Sequence, residues 1–343
     1  MRCINFADIF RWILGSVFLF SGIVKCVDPV GTSLFVEKYL IAYSLDVLLP
    51  FALPIAITLA VIEFSLGEIL ISGNTHRITA IATTLFLAFF TVITLLNATI
   101  LPIGDCGCFG DAVRLTPLQT LLKNVVLLPM AIYLWVKAKP ARFNLLTLLF
   151  ALIISLGVNL YSLRHLPIID FMSYKEGVDL RSAISQRRAV DYVLVCRNSV
   201  TGEVREFAAD DTAWYDGWEV VDTRDANGSE LSPFTDFMVY DAAGVEQSRE
   251  LLQREGRTIW LCVRSVESLD SKRMRAIEQL LEQTTNSNIV VLTSDNVDDV
   301  YDILNLECYA IDSVVLTSIM RADVGVVVLE DGVIVDKLNI LDI

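Results

Sequence analysis

The stretch FRWILGSVFLFSGIVKCV at residues 10–27 is an apolar run whose ionisable side chains, Arg11 and Lys25, stand near its ends. Crossing a bilayer takes about 20 mostly apolar residues. Five stretches of this kind occur in the first half of the chain, at residues 10–27, 48–71, 78–101, 118–136 and 145–163. Short connections join them, which argues against the buried helices of a large soluble protein. We predict five transmembrane helices, of which the fifth could instead lie flat on the membrane.

The beginning of the chain has features of a signal peptide, with basic Arg2 and Arg11 before an apolar stretch. However, no small-x-small cleavage site follows Gly22, and further apolar stretches come next. We therefore interpret the first stretch as an uncleaved transmembrane helix.

The two halves of the chain differ in charge. Residues 1–166 hold 11 basic and 8 acidic side chains, a net charge of +3, whereas residues 167–343 hold 16 and 33, a net charge of −17. The second half is typical of an acidic soluble region. Its charge repels nucleic acid and anionic lipid headgroups, so we exclude both as partners of that region. Membrane lipid surrounds the first half.

Basic residues indicate the orientation of the helices, because they are enriched on the cytoplasmic side. Six lie at the N-terminus and in the second and fourth connections: Arg2, Arg11, Arg77, Lys137, Lys139 and Arg142. Four lie in the opposite connections: Lys25, Lys38, Arg114 and Lys123. We predict a multi-pass protein of the bacterial inner (plasma) membrane with a cytoplasmic N-terminus. Cys26, the loop before residue 118 and everything after Arg164 would then lie on the periplasmic side.

The motif Cys106-Gly107-Cys108-Phe109-Gly110 lies between the third and fourth apolar stretches. A disulfide within Cys-x-Cys closes a very small ring, which Gly107 permits because glycine has no Cβ. A strained disulfide of this kind is easily reduced. The motif favours redox activity, with a structural disulfide or two inert thiols as alternatives. Zinc is a weaker interpretation, since two thiolates without a nearby histidine do not complete its usual four ligands.

Four other residues join this pair as candidates: Lys25, Cys26, Asp28 and Glu63. Lys25 precedes Cys26 and could lower the pKa of its thiol, although Cys26 could equally be an ordinary cysteine at the membrane interface. Glu63 lies inside the second apolar stretch, where a carboxylate must face the bundle interior or be protonated. Glu63 could relay a proton or bind a polar headgroup. Asp28 follows Cys26 directly before a proline.

The second half contains two patterns of secondary structure. Residues 192–196 and 202–207 flank a turn and predict a hairpin. From Thr258 the order strand, helix, strand, helix, helix, strand, strand predicts a small α/β domain. Cys196 and Cys262 lie in apolar strand-like runs and are expected in the core, whereas Cys308 is expected in a loop. We predict three parts: a transmembrane domain at 1–165, a small β-rich connecting region at 166–250, and an α/β domain at 251–343.

The motif Ser21-Gly22-Ile23-Val24-Lys25, with Asp28-Pro29 after it, resembles the DoxX-like membrane proteins. The motif Asp105-Cys-Gly-Cys-Phe-Gly110, followed by Thr116-Pro117, is similar to the methylamine-utilisation MauE branch of that family. The family in turn resembles the four-helix bundle of vitamin K epoxide reductase, in which thiols exchange electrons with a quinone. The resemblance implies a four-helix bundle plus a fifth helix, Cys106 and Cys108 as the redox pair, and Cys26 as a relay thiol. Because this chain has Cys-x-Cys rather than Cys-x-x-Cys, the cofactor is unknown and a quinone is suggested by analogy alone.

The pattern from Thr258 onwards is similar to a thioredoxin fold. A thioredoxin would have Cys-x-x-Cys after the strand ending near Val263, where this chain has Arg264-Ser-Val-Glu-Ser-Leu269. It would also have a cis-proline where this chain has Asp323-Val324-Gly325. We therefore expect this domain to bind a partner without redox activity of its own.

Three functions follow as hypotheses. The first is a membrane thiol–disulfide protein of the cell envelope, which exchanges disulfides with an extracytoplasmic protein partner through Cys106 and Cys108. The second is a non-enzymatic assembly or maturation factor of the MauE type. The third is a membrane protein that binds a small molecule or lipid inside its bundle.

Overall fold

The computed structural model describes residues 5–73, 76–99, 107–138, 144–185, 192–208, 210–225, 234–284 and 288–343. The chain forms two compact units. We call Met1–Ser162 with Asp191–Arg224 the membrane unit, and Leu163–Val190 with Asp225–Ile343 the α/β unit. The residues 166–250, predicted as one connecting region, are distributed over both units, because the hairpin residues pack with the helices.

Five helices of the described residues are long and apolar enough to cross a membrane, which confirms the prediction of a multi-pass membrane protein. They are α1 (Phe6–Val27), α3 (Ala52–Ile71), α4 (Arg77–Thr99), α5 (Pro117–Lys137) and α6 (Leu145–Arg164). A 3₁₀ turn at Asp46–Phe51 lengthens the second span to Asp46–Ile71. The predicted and observed ends agree within a few residues because apolar length alone defines these helices.

A shorter helix, α2 (Pro29–Ala42), was not predicted. The Asp28 side chain accepts a hydrogen bond from the Gly31 amide at 2.7 Å, and Pro29 occupies the first turn, so the helix has an N-cap and a favoured first residue. With 14 residues it is too short to span the membrane. Its apolar side chains surround the helix instead of forming one stripe, so it gives no helical periodicity.

Helices α1 and α3 approach each other closely because each has a glycine at the contact. A Cβ on Gly22 would lie 2.6 Å from the Phe64 Cα, and a Cβ on Gly67 would lie 2.6 Å from the Leu19 Cα. Small residues allow this approach between membrane helices, where packing rather than water exclusion drives association. The contact sets Lys25 of α1 beside Glu63 of α3.

The rest of the membrane unit packs around this helix pair. Leu14 and Phe18 of α1 form an apolar cluster with Leu70 of α3, Leu87 of α4 and Leu127 of α5. A second cluster brings α6 against α1 and α3, through Cys26, Ala60, Phe64 and Ala151.

The predicted hairpin is confirmed as β1 (Tyr192–Asn198) and β2 (Val204–Ala208), which pair antiparallel. With β3 (Trp218–Asp225) they form a three-stranded sheet in the order β2-β1-β3. Buried Arg197 of β1 donates to the carbonyls of Ile41 and Ala42, the last residues of α2. The Ile41 carbonyl also accepts from the Ser44 amide at 3.0 Å, so the guanidinium adds to the C-terminal cap of α2 and attaches the sheet to it.

The α/β unit contains one six-stranded sheet in the order β4-β7-β6-β5-β8-β9. Its strands are β4 (Val239–Tyr240), β5 (Arg257–Val263), β6 (Asn288–Thr293), β7 (Cys308–Ile311), β8 (Val324–Glu330) and β9 (Val333–Asn339). Its helices are α7 (Leu180–Ser185), α8 (Ser248–Gln253), α9 (Ser271–Gln283), α10 (Val297–Leu304) and α11 (Ser313–Ile319).

Strands β5, β6 and β7 are parallel, whereas β8 and β9 continue the sheet antiparallel. The central strand β5 is buried on both faces: Trp260 and Cys262 pack on one side, and Ile259, Leu261 and Val263 on the other. A continuous apolar strand of this kind is typical of a sheet covered by helices on both faces. The prediction of a mixed α/β region after the membrane helices is confirmed.

The prediction that Cys308 lies in a loop is wrong. Cys308 begins β7, where it is buried and its thiol donates to the Leu306 carbonyl at 3.1 Å. The strand has only four residues, which is too short for an alternation of apolar and polar side chains to be visible in the sequence.

Candidate functional site

The site begins with three polar side chains inside the membrane unit. Ser21 and Lys25 are four residues apart on α1 and therefore share one helix face. The Lys25 Nζ lies 2.6 Å from the Glu63 Oε2 and 2.8 Å from the Ser21 Oγ. The Ser21 hydroxyl lies 2.5 Å from the same carboxylate oxygen. We call Ser21, Lys25 and Glu63 the polar triad.

The triad is buried: Lys25 and Glu63 are each 5% exposed. Burying two charges costs several kcal/mol for each ion, and the cost is offset only where hydrogen bonds complete the pair. The triad meets this condition, because the ammonium group has three acceptors within hydrogen-bonding distance. The Glu63 carboxylate lies inside the bundle, as its place in an apolar stretch requires.

The third acceptor is the backbone carbonyl of Cys108. Its oxygen lies 2.6 Å from the Lys25 Nζ and 2.5 Å from the Ser21 Oγ. The polar triad therefore binds the loop that contains the Cys-x-Cys motif directly to α1 and, through the Lys25–Glu63 ion pair, indirectly to α3. A buried charge that donates to a backbone carbonyl is a strong anchor, because the ammonium group must keep its acceptors in the absence of water.

Both glycines of the motif adopt a backbone conformation that favours glycine. Gly107 has φ +61°, and a Cβ there would lie 2.6 Å from the Phe35 ring. Gly110 has φ +52°, and a Cβ there would lie 3.2 Å from the Val24 side chain. The Gly110 amide donates to the Gly107 carbonyl at 3.2 Å, which closes a tight turn around Cys108. The glycines thus allow the turn to sit against α1 and α2.

The structure shows the positions of two of the three candidate redox cysteines. Cys108 is partly exposed, and Cys106 lies outside the described residues. Cys26 is 2% exposed and belongs to the cluster with Ala60, Phe64 and Ala151, and Asn159 lies within hydrogen-bonding reach of its thiol. The neighbouring Lys25 gives its hydrogen bonds to the other members of the triad and to Cys108. The participation of Cys26 in exchange stays a prediction.

Asp28 has a defined position at the start of α2. It is 7% exposed, and its carboxylate caps the helix through the Gly31 amide. It therefore orients α2, whose Phe35 contacts the Gly107 position. Lys25, Glu63 and Asp28 all lie within or beside the candidate site, and Lys25 and Glu63 form an ion pair.

A cavity of about 450 Å³ adjoins the triad and the turn. Its walls come from α1 to α5, from the residues just after α2 and from the turn around Cys108. They are mostly apolar, with eight aromatic side chains: Phe18, Phe35, Tyr39, Tyr43, Phe86, Phe89, Phe90 and Phe109. Lys25, Glu63 and Lys123 are its charged lining residues. The Lys123 Nζ lies 4.5 Å from the centre of the Phe109 ring. Ser21, Lys123 and the aromatic lining were not predicted as site residues, because they come from several segments whose arrangement the sequence does not reveal.

The α/β unit holds its cysteines in a different environment. Burial raises the pKa of the Cys262 thiol to about 12 and that of Cys308 to about 11. Since the thiolate is the reactive form, burial and the raised pKa disfavour disulfide exchange by these two thiols near neutral pH.

Ion pairs link the segments that follow β5 and precede β8 in the α/β unit. The Asp323 carboxylate lies 3.1 Å from the guanidinium of Arg264 and 3.1 Å from that of Arg273. Arg264 lies in the loop after β5, Arg273 lies in α9, and both bind Asp323 in the loop before β8. Within the described ranges, no group of three or more His, Cys, Asp or Glu side chains could hold a metal ion.

Comparison with known proteins finds two similarities, and both cover only part of the chain. Residues 4–137 match the model of the family described as methylamine utilisation protein MauE. They include α1 to α5, the polar triad and the Cys-x-Cys motif, so the resemblance to MauE is confirmed over this segment. The chain is also 30% identical over 79 residues to Protein TlpB of Flavobacterium psychrophilum, which covers 22% of this chain and 21% of that protein. The match thus spans about a fifth of the relative's length. No solved structure matches the chain.

Proposed function

We propose that this chain is a membrane thiol–disulfide oxidoreductase of the cell envelope that uses Cys106 and Cys108. The observation that carries the proposal is the anchoring of the Cys108 carbonyl by buried Lys25 and Ser21. The turn needs two glycines and is held by a buried ion pair, and burial of such a pair has a desolvation cost. A connection without a function would not need this arrangement. Such fixed placement is typical of a residue whose side chain must react in a defined direction.

The exchange is balanced without a further cofactor. One thiolate of the pair attacks a sulfur of the partner's disulfide, which forms a mixed disulfide and releases one partner thiolate. The second cysteine then attacks the mixed disulfide, forms the Cys106–Cys108 disulfide and releases the partner's second thiolate. Two electrons pass from the pair to the partner, and the reverse sequence oxidises a partner dithiol. Cys26 would act as a relay thiol if the turn moves towards α6.

The second candidate is an assembly or maturation factor of the MauE type, which the family match over residues 4–137 favours. In that function the polar triad would fix the turn as a docking surface, and the cysteines would form no bond with the partner. The α/β unit would recognise the partner in both cases. A thioredoxin-like origin of that unit stays a prediction.

The proposal requires the turn and the α/β unit to face the periplasm. We expect a membrane-impermeant maleimide to label a chain whose only cysteine is Cys108 in intact cells with a permeabilised outer membrane. A matched chain whose only cysteine is Cys3 should be labelled only after the inner membrane is broken. The physical reason is the distribution of basic residues, which places Cys3 with the cytoplasmic connections. The reverse pattern of labelling would contradict the topology and, with it, exchange with a periplasmic partner.

A further inference from the structure

The cavity beside the triad has a largely apolar, aromatic lining that disulfide exchange does not require. A pocket of about 450 Å³ is within the usual range for a small-molecule site, which is about 300–1,000 Å³. Sites of this kind combine an apolar lining with a few polar groups that orient the ligand. Here the charged groups are concentrated at the triad and at Lys123. Thr32, Thr94 and Asn124 add uncharged polar groups, and most of the other lining side chains are apolar or aromatic.

The charges of the lining are unequal. Lys25 and Glu63 neutralise each other at 2.6 Å. Lys123 has no acidic side chain within ion-pairing distance among the residues that the structure describes, and its near neighbour is the Phe109 ring. The lining therefore carries one positive charge in excess. An ammonium group on an aromatic face can still accept an anion on its other side, because the ring contacts only one side of it.

The position of Lys123 sets the direction of a ligand. Lys123 lies in the second turn of α5, which begins at Pro117, so its ammonium group is near the end of the span where a headgroup meets water. Phe86, Phe89, Phe90 and Ile93 of α4 provide apolar walls between this end and the bundle interior.

We propose that the cavity binds one long-chain fatty acid, with its carboxylate at Lys123 and its acyl chain among the aromatic side chains. The volume favours one acyl chain over the two chains of a phospholipid. The excess positive charge favours a carboxylate over a neutral amphiphile such as an ester. This inference is independent of the redox function and would hold equally for an assembly factor.

The test uses the full-length chain in a non-ionic detergent, with cis-parinaric acid as the fluorescent probe. Palmitate should displace the probe about tenfold better than methyl palmitate, because hydrogen bonds to charged groups contribute about 1.5–3 kcal/mol. In Lys123→Gln this preference should disappear, whereas Lys123→Arg should keep it. Lys137→Gln, which removes an exposed lysine at the other end of the same helix, is the matched control and should bind like the unchanged protein.

Each outcome decides the proposal. Equal displacement by acid and ester in the unchanged protein would overturn it, as would Lys123→Gln with its preference intact. Phosphatidylglycerol that displaces the probe better than palmitate would show that the site takes a phospholipid, and would also overturn it. Ile93→Trp fills the cavity from α4 and should weaken probe binding at an unchanged unfolding temperature. Undiminished binding in this variant would place the ligand elsewhere.

Discussion

Replacing Lys25 with methionine should destabilise the membrane unit by about 3–5 kcal/mol, because removal of one partner leaves a buried charge without compensation. The variant retains an apolar side chain of similar length but leaves Glu63 in the bundle with Ser21 as its remaining donor. The free energy of unfolding can be measured by titration of the detergent-solubilised protein with a denaturing detergent. Lys137→Met, at an exposed position of α5, is the matched control and should change little.

The double variant Lys25→Met/Glu63→Leu distinguishes the contribution of the buried ion pair to stability from that of side-chain packing. Replacing both partners with apolar side chains removes both desolvation costs, so the double variant should recover most of the stability that Lys25→Met loses. It should nevertheless release the Cys108 carbonyl, and the alkylation rate of Cys108 should change. If the single and double variants were equally destabilised, the claim that the ion pair holds the triad together would be wrong.

Each serine variant of the cysteine pair should halve the thiol yield of disulfide exchange. Reduced full-length protein that reacts with excess glutathione disulfide should release two glutathione molecules per chain, because the second cysteine resolves the mixed disulfide. Cys106→Ser and Cys108→Ser should each release one and retain the other as a bound adduct, which mass spectrometry can count. The comparison uses a Cys3→Ala background, since Cys3 lies outside the described residues.

Cys262→Ala is the control for this experiment, because its thiol is buried and burial raises its pKa to about 12. It should release two glutathione molecules like the unchanged protein. Two adducts on the unchanged protein, with no disulfide between Cys106 and Cys108, would show that the pair does not close its ring and would contradict the proposed exchange.

The helices and strands of this protein were largely predictable because their signals are local. Apolar length defined α1, α3, α4, α5 and α6, and the hairpin pattern indicated β1 and β2. Helix α2 was missed, although Asp28-Pro29 is a strong helix start, because its apolar residues show no periodicity. The strand at Cys308 was too short to be recognised.

The site was less predictable because its contacts depend on how the helices are arranged. Lys25 and Glu63 were both candidates, but their ion pair joins residues 38 positions apart and follows from the glycine contact between α1 and α3. The role of Ser21 has the same origin. The sequence placed Lys25 with the Cys26 thiol, whereas the structure directs it to Glu63 and the Cys108 carbonyl. Spacing along one helix cannot show which neighbouring helix a buried ammonium group will meet.

The central claim is that Cys106 and Cys108 exchange disulfides with a protein outside the cytoplasm, and capture of the intermediate tests it most directly. Membranes from cells that produce Cys106→Ser or Cys108→Ser should be quenched with acid, alkylated and separated with and without reductant. The account predicts a species in at least one variant that reductant dissociates and in which mass spectrometry identifies one disulfide to a periplasmic protein. The variant with both cysteines replaced should lack it. The contradicting result is a partner that binds both single variants and the double variant equally, without a disulfide to this chain. That result would support the assembly factor instead.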